Sequence, residues 1–167
     1  TLKRAGVPLA GTILAGVLCD EEDQMLGVRH FIAAGHADRV TAAVICEPED
    51  GIICTSQKGA LRARFDVTGR MSHGAMPLSG LNPAPAIAEI IRRLHVYEAR
   101  SAAACGRHAH LGWPSCTPTV VQSPVEGPAQ LNVVPGQSRV LVDIRTIPGQ
   151  DHGRMVADLR AMAAETR

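Results

Sequence analysis

Two kinds of hydrophobic pattern divide the chain. In the first part, residues 8–19 and 39–46 are apolar almost throughout, and residues 25–34 between them have apolar side chains at helical spacing. Near-continuous apolar strands are typical of a parallel sheet that is covered on both faces. The order strand, helix, strand therefore predicts a βαβ unit with a right-handed crossover, and Gly35 suits the C-terminal cap of its helix.

The pattern changes after a link at residues 51–58. Apolar and polar residues alternate from residue 60 to residue 68, which indicates an antiparallel strand with one buried face. Asn82 is a natural N-cap, and apolar residues follow it at i, i+3, i+4 and i+7, the stripe of an amphipathic helix. Asp151 likewise suits the cap of a final helix. The elements predicted in this part are strands at 60–68, 116–122 and 139–147, and helices at 83–100 and 151–167.

The order β-α-β-β-α is that of a ferredoxin-like sandwich that lacks its last strand. We therefore predict two domains, an α/β domain at residues 1–57 and this α+β sandwich at residues 58–167. The missing strand, and an apparent last turn of a helix at residues 1–5, indicate an internal piece of a longer protein. The residues predicted to face the core are Val140, Val142 and Ile144 in the third strand, and Met155, Val156, Leu159, Met162 and Ala163 in the last helix.

Composition excludes several classes of function. The formal net charge is +1, and the chain has one Trp, one Tyr and two Phe, so it lacks the basic, aromatic surface that nucleic-acid binding needs. No apolar run is long enough to span a membrane, and no signal peptide is recognisable. Five cysteines without close zinc-type spacing indicate reduced, mostly buried thiols, which favours a cytoplasmic protein.

Carboxylates follow both predicted strands of the first part. Glu21 and Glu22 come after the strand at 8–19, and Glu47 comes after the strand at 39–46. Parallel strands end at one edge of their sheet, where ligand sites lie in open α/β folds. There one carboxylate can bind a metal while its neighbour acts as general base toward a water. The alternative is a solvated helix start, because the helix dipole favours acidic residues in the first turn.

No histidine stands near these carboxylates to complete a metal shell. Four histidines of the chain are predicted to be surface residues. We therefore expect the chain by itself to bind zinc weakly and to turn over no substrate. These predicted surface histidines are His30, His36, His108 and His110.

Five motifs occur in one order along the chain. Together they resemble the dizinc amidohydrolase family that includes acetylornithine deacetylase, succinyl-diaminopimelate desuccinylase, aminoacylase and glutamate carboxypeptidase. The resemblance covers essentially the whole chain. The motifs are Cys-Asp-Glu-Glu at 19–22, Cys-Glu-Pro at 46–48, Gly-Arg-Met-Ser-His-Gly-Ala-Met-Pro at 69–77 followed by Asn-Pro-Ala at 82–84, Asn-Val-Val-Pro at 132–135, and Asp-Ile-Arg at 143–145.

The resemblance implies roles for three carboxylates in a zinc-peptidase-like catalytic domain, of which residues 1–57 would be a part. Glu21 matches the general base, Glu22 matches a ligand of one zinc ion, and Glu47 matches the carboxylate ligand of the other. Two zinc ions per intact subunit are implied, with cobalt or manganese possible in their place. The implied reaction is hydrolysis of the amide bond of a small N-acyl amino acid or dipeptide-like substrate by a zinc-activated water.

Residues 58–167 would be the lid or dimerisation domain, and the resemblance implies a homodimer formed through it. His73 matches a histidine that reaches the active site of the partner subunit and stabilises the oxyanion. Asn132 and Arg145 match substrate-binding positions, and a guanidinium is suited to bidentate binding of a carboxylate. Each also has a simpler reading. His73 can be an exposed loop residue, Arg145 can pair with Asp143, and Asn132 can be a turn residue.

Two other functions are compatible with the sequence. The chain can be a non-catalytic dimerisation module, because the family's remaining metal ligands, a His-x-Asp motif, a bridging Asp and a late His, are not in it. It can also be a small-molecule-binding domain of ferredoxin-like fold, although that reading leaves the acidic strand ends unexplained.

Overall fold

A computed structural model describes residues 4–48 and 50–166 of the protein. Two compact units share the chain, one ending at Gly51 and one beginning at Ile52. A short 3-10 helix lies at Pro77–Ser79. The other elements are α1 at Leu26–Ala33, β1 at Gly59–Thr68, β2 at Ser72–His73, α2 at Ala84–Cys105, β3 at Ser115–Gln122, β4 at Val133–Val134, β5 at Gln137–Thr146 and α3 at His152–Glu165.

The first unit contains one of the three elements that its sequence predicts. Helix α1 is confirmed, and Gly35 follows it with φ of 78°, which an L side chain rarely adopts. The strands predicted at 8–19 and 39–46 are wrong, because the described residues of this unit contain no strand. Val17 is 99% exposed and Val44 is 91% exposed. A parallel strand needs paired neighbours and cover on both faces, and one eight-residue helix supplies neither.

The second unit is built on a three-stranded antiparallel sheet in the order β1-β5-β3. The central strand, β5, places Ile144 opposite Leu61 of β1 and opposite Cys116 of β3. All three predicted strands are therefore confirmed, within two residues at each end. The helices follow in the order that a ferredoxin-like sandwich requires, and among the described residues no fourth strand joins this sheet.

One face of this sheet packs against α2 and α3. The alternation predicted for β5 is confirmed, since Val140, Val142 and Ile144 are all buried. Each such fully buried aliphatic side chain contributes roughly 1.5–3 kcal/mol to folding. Ala163, which is predicted to lie on the buried side of α3, is exposed. The core cluster consists of Phe65, Ile87, Ile90, Leu94, Cys116, Val140, Val142, Ile144, Met155, Leu159 and Met162.

The helix ends follow local chemistry. Asp151 is confirmed as a cap, because its Oδ1 accepts hydrogen bonds from the backbone N–H groups of Gly153 at 2.7 Å and Arg154 at 3.2 Å. Helix α2 continues five residues past its predicted end at residue 100, through a run of alanines that favour helix, and ends at Cys105. In the described part of the chain, no helix is long and apolar enough to cross a membrane.

Candidate functional site

Asp20 organises the acidic turn before α1. Its Oδ2 accepts hydrogen bonds from the backbone N–H groups of Gln24 at 3.2 Å and Leu26 at 3.3 Å, and its carbonyl accepts one from Met25 at 2.7 Å. Gly27 lies so close to Cys19 that an added Cβ would meet the backbone of that residue at 2.6 Å. Asp20 therefore stabilises the turn that leads into α1 by accepting hydrogen bonds from its backbone N–H groups.

The neighbouring carboxylates point into solvent. Glu21, Glu22 and Glu47 are all exposed. Within residues 4–48 and 50–166, their side chains make no hydrogen bond or ion pair with protein groups. The same residues contain no group of three or more His, Cys, Asp or Glu side chains that could hold a metal ion. The three carboxylates are therefore accessible to water or to a metal ion. The described residues do not form a metal shell around them.

Backbone pairing joins the segments that contain His73 and Asn132 in a short ribbon. Strand β2 pairs with β4 so that His73 is opposite Val133, and the N–H of Gly74 donates to the carbonyl of Asn132 at 2.6 Å. An added Cβ at Gly74 would lie 3.0 Å from that carbonyl oxygen, so the two segments approach closely. The fold therefore brings together two residues that are 59 positions apart in the sequence.

The imidazole of His73 is held in one orientation by its own loop. Its Nδ1 accepts a hydrogen bond from the N–H of Ala75 at 3.1 Å, and its carbonyl accepts one from Met76 at 2.8 Å. Because Nδ1 is used as an acceptor, the neutral ring carries its proton on Nε2. Since His73 is exposed, this N–H can donate to a ligand.

Arg145 lies on the face of the sheet that the helices do not cover. Its Nε donates to Oδ2 of Asp143 at 2.7 Å, which is the ion pair anticipated as the simpler reading of this arginine. The Arg145 side chain is nevertheless 44% exposed. The ion pair therefore holds this guanidinium without removing it from solvent.

Arg145 is far from the ribbon of His73 and Asn132. The N–H of Gly69 donates to the carbonyl of Gly136 at 2.8 Å, so the ribbon begins where β5 starts, at Gln137. Eight residues separate Gln137 from Arg145. At about 3.3 Å per residue, Arg145 is roughly 26 Å from that end of the strand. Arg145 and the start of the ribbon therefore lie near opposite ends of β5.

Cysteine chemistry plays no part in this arrangement. All five cysteines are free, as predicted, but four are exposed rather than buried. The exception, Cys116, lies in the core, and burial raises the pKa of its thiol to about 11, with the Glu98 carboxylate adding to the effect. Such a thiol is a core side chain and not a nucleophile at neutral pH.

Three features of these sites were not predicted from the sequence. They are the capping role of Asp20, the contact between Gly74 and Asn132, and the distance between Arg145 and the ribbon. The first had no positional signal, because a cap normally stands directly before its helix, whereas Asp20 lies six residues before Leu26. The other two depend on strand pairing between distant segments, which local patterns do not specify.

Comparison with known proteins identifies the second unit. The sequence profile of the peptidase dimerisation domain of the M20 family matches residues 55–166. The chain is 29% identical to acetylornithine deacetylase from Myxococcus xanthus, over 94% of this chain and 40% of that protein. It is 30% identical to succinyl-diaminopimelate desuccinylase from Stenotrophomonas maltophilia, over 91% of this chain and 40% of that protein.

Solved structures agree on the fold. An M20 family metallo-carboxypeptidase from Sulfolobus solfataricus superimposes with a TM-score of 0.50 and 16% identity, over 66% of this chain and 40% of that one. An amidase of the hydantoinase/carbamoylase family from Burkholderia vietnamiensis gives 0.50 and 20% identity, over 66% of this chain and 24% of that one. The chain spans about 40% of the length of the two curated relatives. The profile match covers well over half of the chain, which therefore belongs to the M20 peptidase family and contains its dimerisation domain.

Proposed function

We propose that this chain is part of a metal-dependent amidohydrolase that cleaves the amide bond of a small N-acyl amino acid or dipeptide-like substrate. Family membership carries the proposal, together with the names of the two curated relatives, a deacetylase and a desuccinylase. N-Acetylornithine and N-succinyl-diaminopimelate are therefore the first substrates to test. The free cysteines lead us to propose a cytoplasmic enzyme.

We assign Glu21 as the general base and Glu22 and Glu47 as metal ligands, with two zinc ions per intact subunit as the proposed metal. Their exposure, and their lack of side-chain partners among residues 4–48 and 50–166, support these assignments, because a base or ligand must be free to meet water or metal. The described residues do not form a metal shell, so the remaining ligands would have to come from outside them. Glu21 would accept the proton of the water that attacks the amide carbonyl.

His73 and Asn132 would bind the reacting amide. The Ala75 N–H on Nδ1 leaves the Nε2–H of His73 as a donor, which suits stabilisation of an oxyanion that develops on the carbonyl oxygen. The backbone of Asn132 is joined to Gly74, the residue after His73, and we assign its side-chain amide as a second substrate-binding group. Arg145 would bind the substrate carboxylate through its exposed guanidinium.

The distance along β5 supports an active site that is shared between two subunits. If His73, Asn132 and Arg145 all bind substrate, the roughly 26 Å along β5 between Arg145 and the start of the ribbon favours an arrangement in which the ribbon and the arginine of one chain serve different sites. A homodimer satisfies this condition, because its partner can supply the ribbon to the site that holds Arg145. The dimerisation-domain match is consistent with such a dimer.

The edge of β3 is the surface we assign to the dimer. Both β1 and β3 are edge strands, and β1 carries Arg62, Arg64 and Asp66, charges of the kind that protect an edge from pairing. Strand β3 carries no charged residue, and Val121 is 56% exposed. A non-catalytic dimerisation module would use the same edge, so oligomeric state alone does not separate these two functions.

The substitution Glu21→Gln in the full-length protein tests the catalytic proposal. Loss of a general base lowers kcat by about 10²–10⁴-fold, and we expect a loss in this range with N-acetylornithine or N-succinyl-diaminopimelate as substrate. Asp23→Asn is the matched control, because Asp23 is exposed in the same turn, and it should leave kcat unchanged.

Metal content measured by elemental analysis must stay equal in the two variants. Full activity of Glu21→Gln at unchanged metal content would refute the assignment. A wild-type full-length protein that hydrolyses neither substrate would favour the non-catalytic or ligand-binding alternative.

A further inference from the structure

Two arginine–aspartate–arginine triads lie on the uncovered face of the sheet. In the first, the Asp143 triad, Asp143 accepts from Arg145 Nε at 2.7 Å and lies 3.8 Å from Arg62 Nε. Asp143 is directly opposite Arg62 in the pairing of β5 with β1. Each triad has two positive charges and one negative charge, so the face retains a net positive charge.

The second triad, the Asp66 triad, has the same composition on the same face. Asp66 accepts from Arg139 Nε at 2.6 Å, and its other oxygen lies 2.8 Å from Arg64 Nε. Asp66 and Asp143 have the same side-chain exposure, 27%. The two aspartates are therefore a matched pair, and only Asp143 is bonded to an arginine that the proposed function uses.

The hydrogen bond to Asp143 uses only Nε of Arg145 and leaves the edge of the guanidinium that carries the two Nη groups open to a ligand. In the described part of the chain, the Arg145 guanidinium donates only through Nε, so both terminal Nη groups are without a protein acceptor. Arg92 provides a contrast, because it donates to Glu89 through Nε and Nη2 together. A carboxylate ligand needs two parallel N–H donors, and the two Nη groups of Arg145 provide them.

We propose that Asp143 is a positioning residue, which fixes the Arg145 guanidinium through Nε so that both Nη groups face the carboxylate of the substrate. This inference rests on the proposed role of Arg145 in substrate binding. Asp143 is suited to the task because it lies on the central strand, paired with Arg62 on one side and Thr117 on the other. Its carboxylate is thus attached to a rigid element, which keeps a binding group in place.

The test compares Asp143→Asn with Asp66→Asn in the full-length metal-loaded protein. Both variants change the charge of the face by the same amount, so long-range electrostatics is matched. The substrates are N-acetyl-L-ornithine and its carboxamide, which lacks the carboxylate. We expect Asp143→Asn to raise KM for the carboxylate substrate on the order of tenfold with little change in kcat. The KM and kcat for the carboxamide should stay the same. Asp66→Asn should change KM and kcat for neither substrate.

The same ligands are also titrated onto the metal-free full-length protein by calorimetry, which measures binding without turnover. If Arg145→Ala weakens carboxylate binding and Asp143→Asn does not, the positioning role is refuted while the proposed function stands. If Arg145→Ala has no effect on binding, the proposed role of Arg145 fails, and this inference fails with it.

Two further outcomes would overturn the inference. Tighter carboxylate binding by Asp143→Asn would show that Asp143 competes with the substrate for Arg145. Equal losses for the carboxylate and the carboxamide would show a general structural effect. The double variant Asp143→Asn with Arg145→Ala should bind the carboxylate no more weakly than Arg145→Ala alone, because Asp143 acts only through that arginine.

Discussion

The two units of this chain contain apolar residues in similar proportion and use them in different ways. In the second unit, apolar side chains alternate with polar ones, and the buried members meet across one sheet and two helices. In the first unit, apolar runs are nearly continuous, and residues such as Ile13 and Val17 lie in solvent. Hydrophobic content alone therefore does not make a core.

The difference lies in what each pattern needs from its surroundings. An alternating strand or an amphipathic helix has one face to bury, and a few neighbours in the same unit can cover it. A strand that is apolar on both faces needs two layers and paired neighbours on its edges. The first unit supplies one short helix, so its apolar runs are left unpaired.

The largest expected effect comes from removing a core side chain of the second unit. Leu94 is fully buried, and Leu94→Ala should lower the free energy of unfolding of the 167-residue chain by about 3 kcal/mol, from lost burial and the cavity left behind. Leu14→Ala in the first unit is the control, because Leu14 is largely exposed, and it should cost less than about 0.5 kcal/mol. Urea unfolding followed by circular dichroism measures both. Equal costs would show that the first unit has a core of its own.

A smaller effect is expected at the two helix caps. Asp151→Ala removes the acceptor for two N–H groups of α3 and should lower the free energy of unfolding by about 1 kcal/mol. Asp20 makes two similar bonds before α1, yet Asp20→Ala should leave the main unfolding transition unchanged, since α1 has no buried residue. A clear shift of that transition by Asp20→Ala would show that the start of α1 contributes to it.

The smallest effect concerns the alkaline side of the stability curve. Burial raises the pKa of Cys116 from an ordinary value of about 9 to about 11, so the folded state holds this proton more tightly than the unfolded chain does. The contribution of the thiol to stability is therefore complete below pH 9 and is lost as the pH rises toward 11. In Cys116→Ala, the free energy of unfolding should fall less steeply between pH 9 and pH 11. Urea unfolding at several pH values measures it.

Thiol labelling provides an independent check of the same residue. Cys19 in the first unit is exposed, and iodoacetamide should modify it well before Cys116 at neutral pH. Comparable labelling rates for the two thiols would show that Cys116 is not held in a core.

Much of the second unit could be predicted from its sequence. Alternation located β1 and β5, an apolar stripe located α2, and the aspartate at 151 marked the start of α3. The end of α2 was placed too early because the connector was assumed to begin at Ser101, whereas alanines extend the helix to Cys105. The assignments of base, metal ligands and substrate-binding residues came from motif resemblance and remain predictions.

The sequence alone determined the amphipathic elements of the second unit, the acidic turn before α1 and the family to which the chain belongs. These depend on local periodicity, capping chemistry and linear motifs, which are all present in the order of residues. Tertiary structure alone decided that Gly74, the residue after His73, meets Asn132, that Asp143 holds Arg145 by Nε, and that Arg145 lies roughly 26 Å along β5 from the start of the ribbon. The pairing of distant segments sets these distances, and pairing depends on the register of the whole sheet.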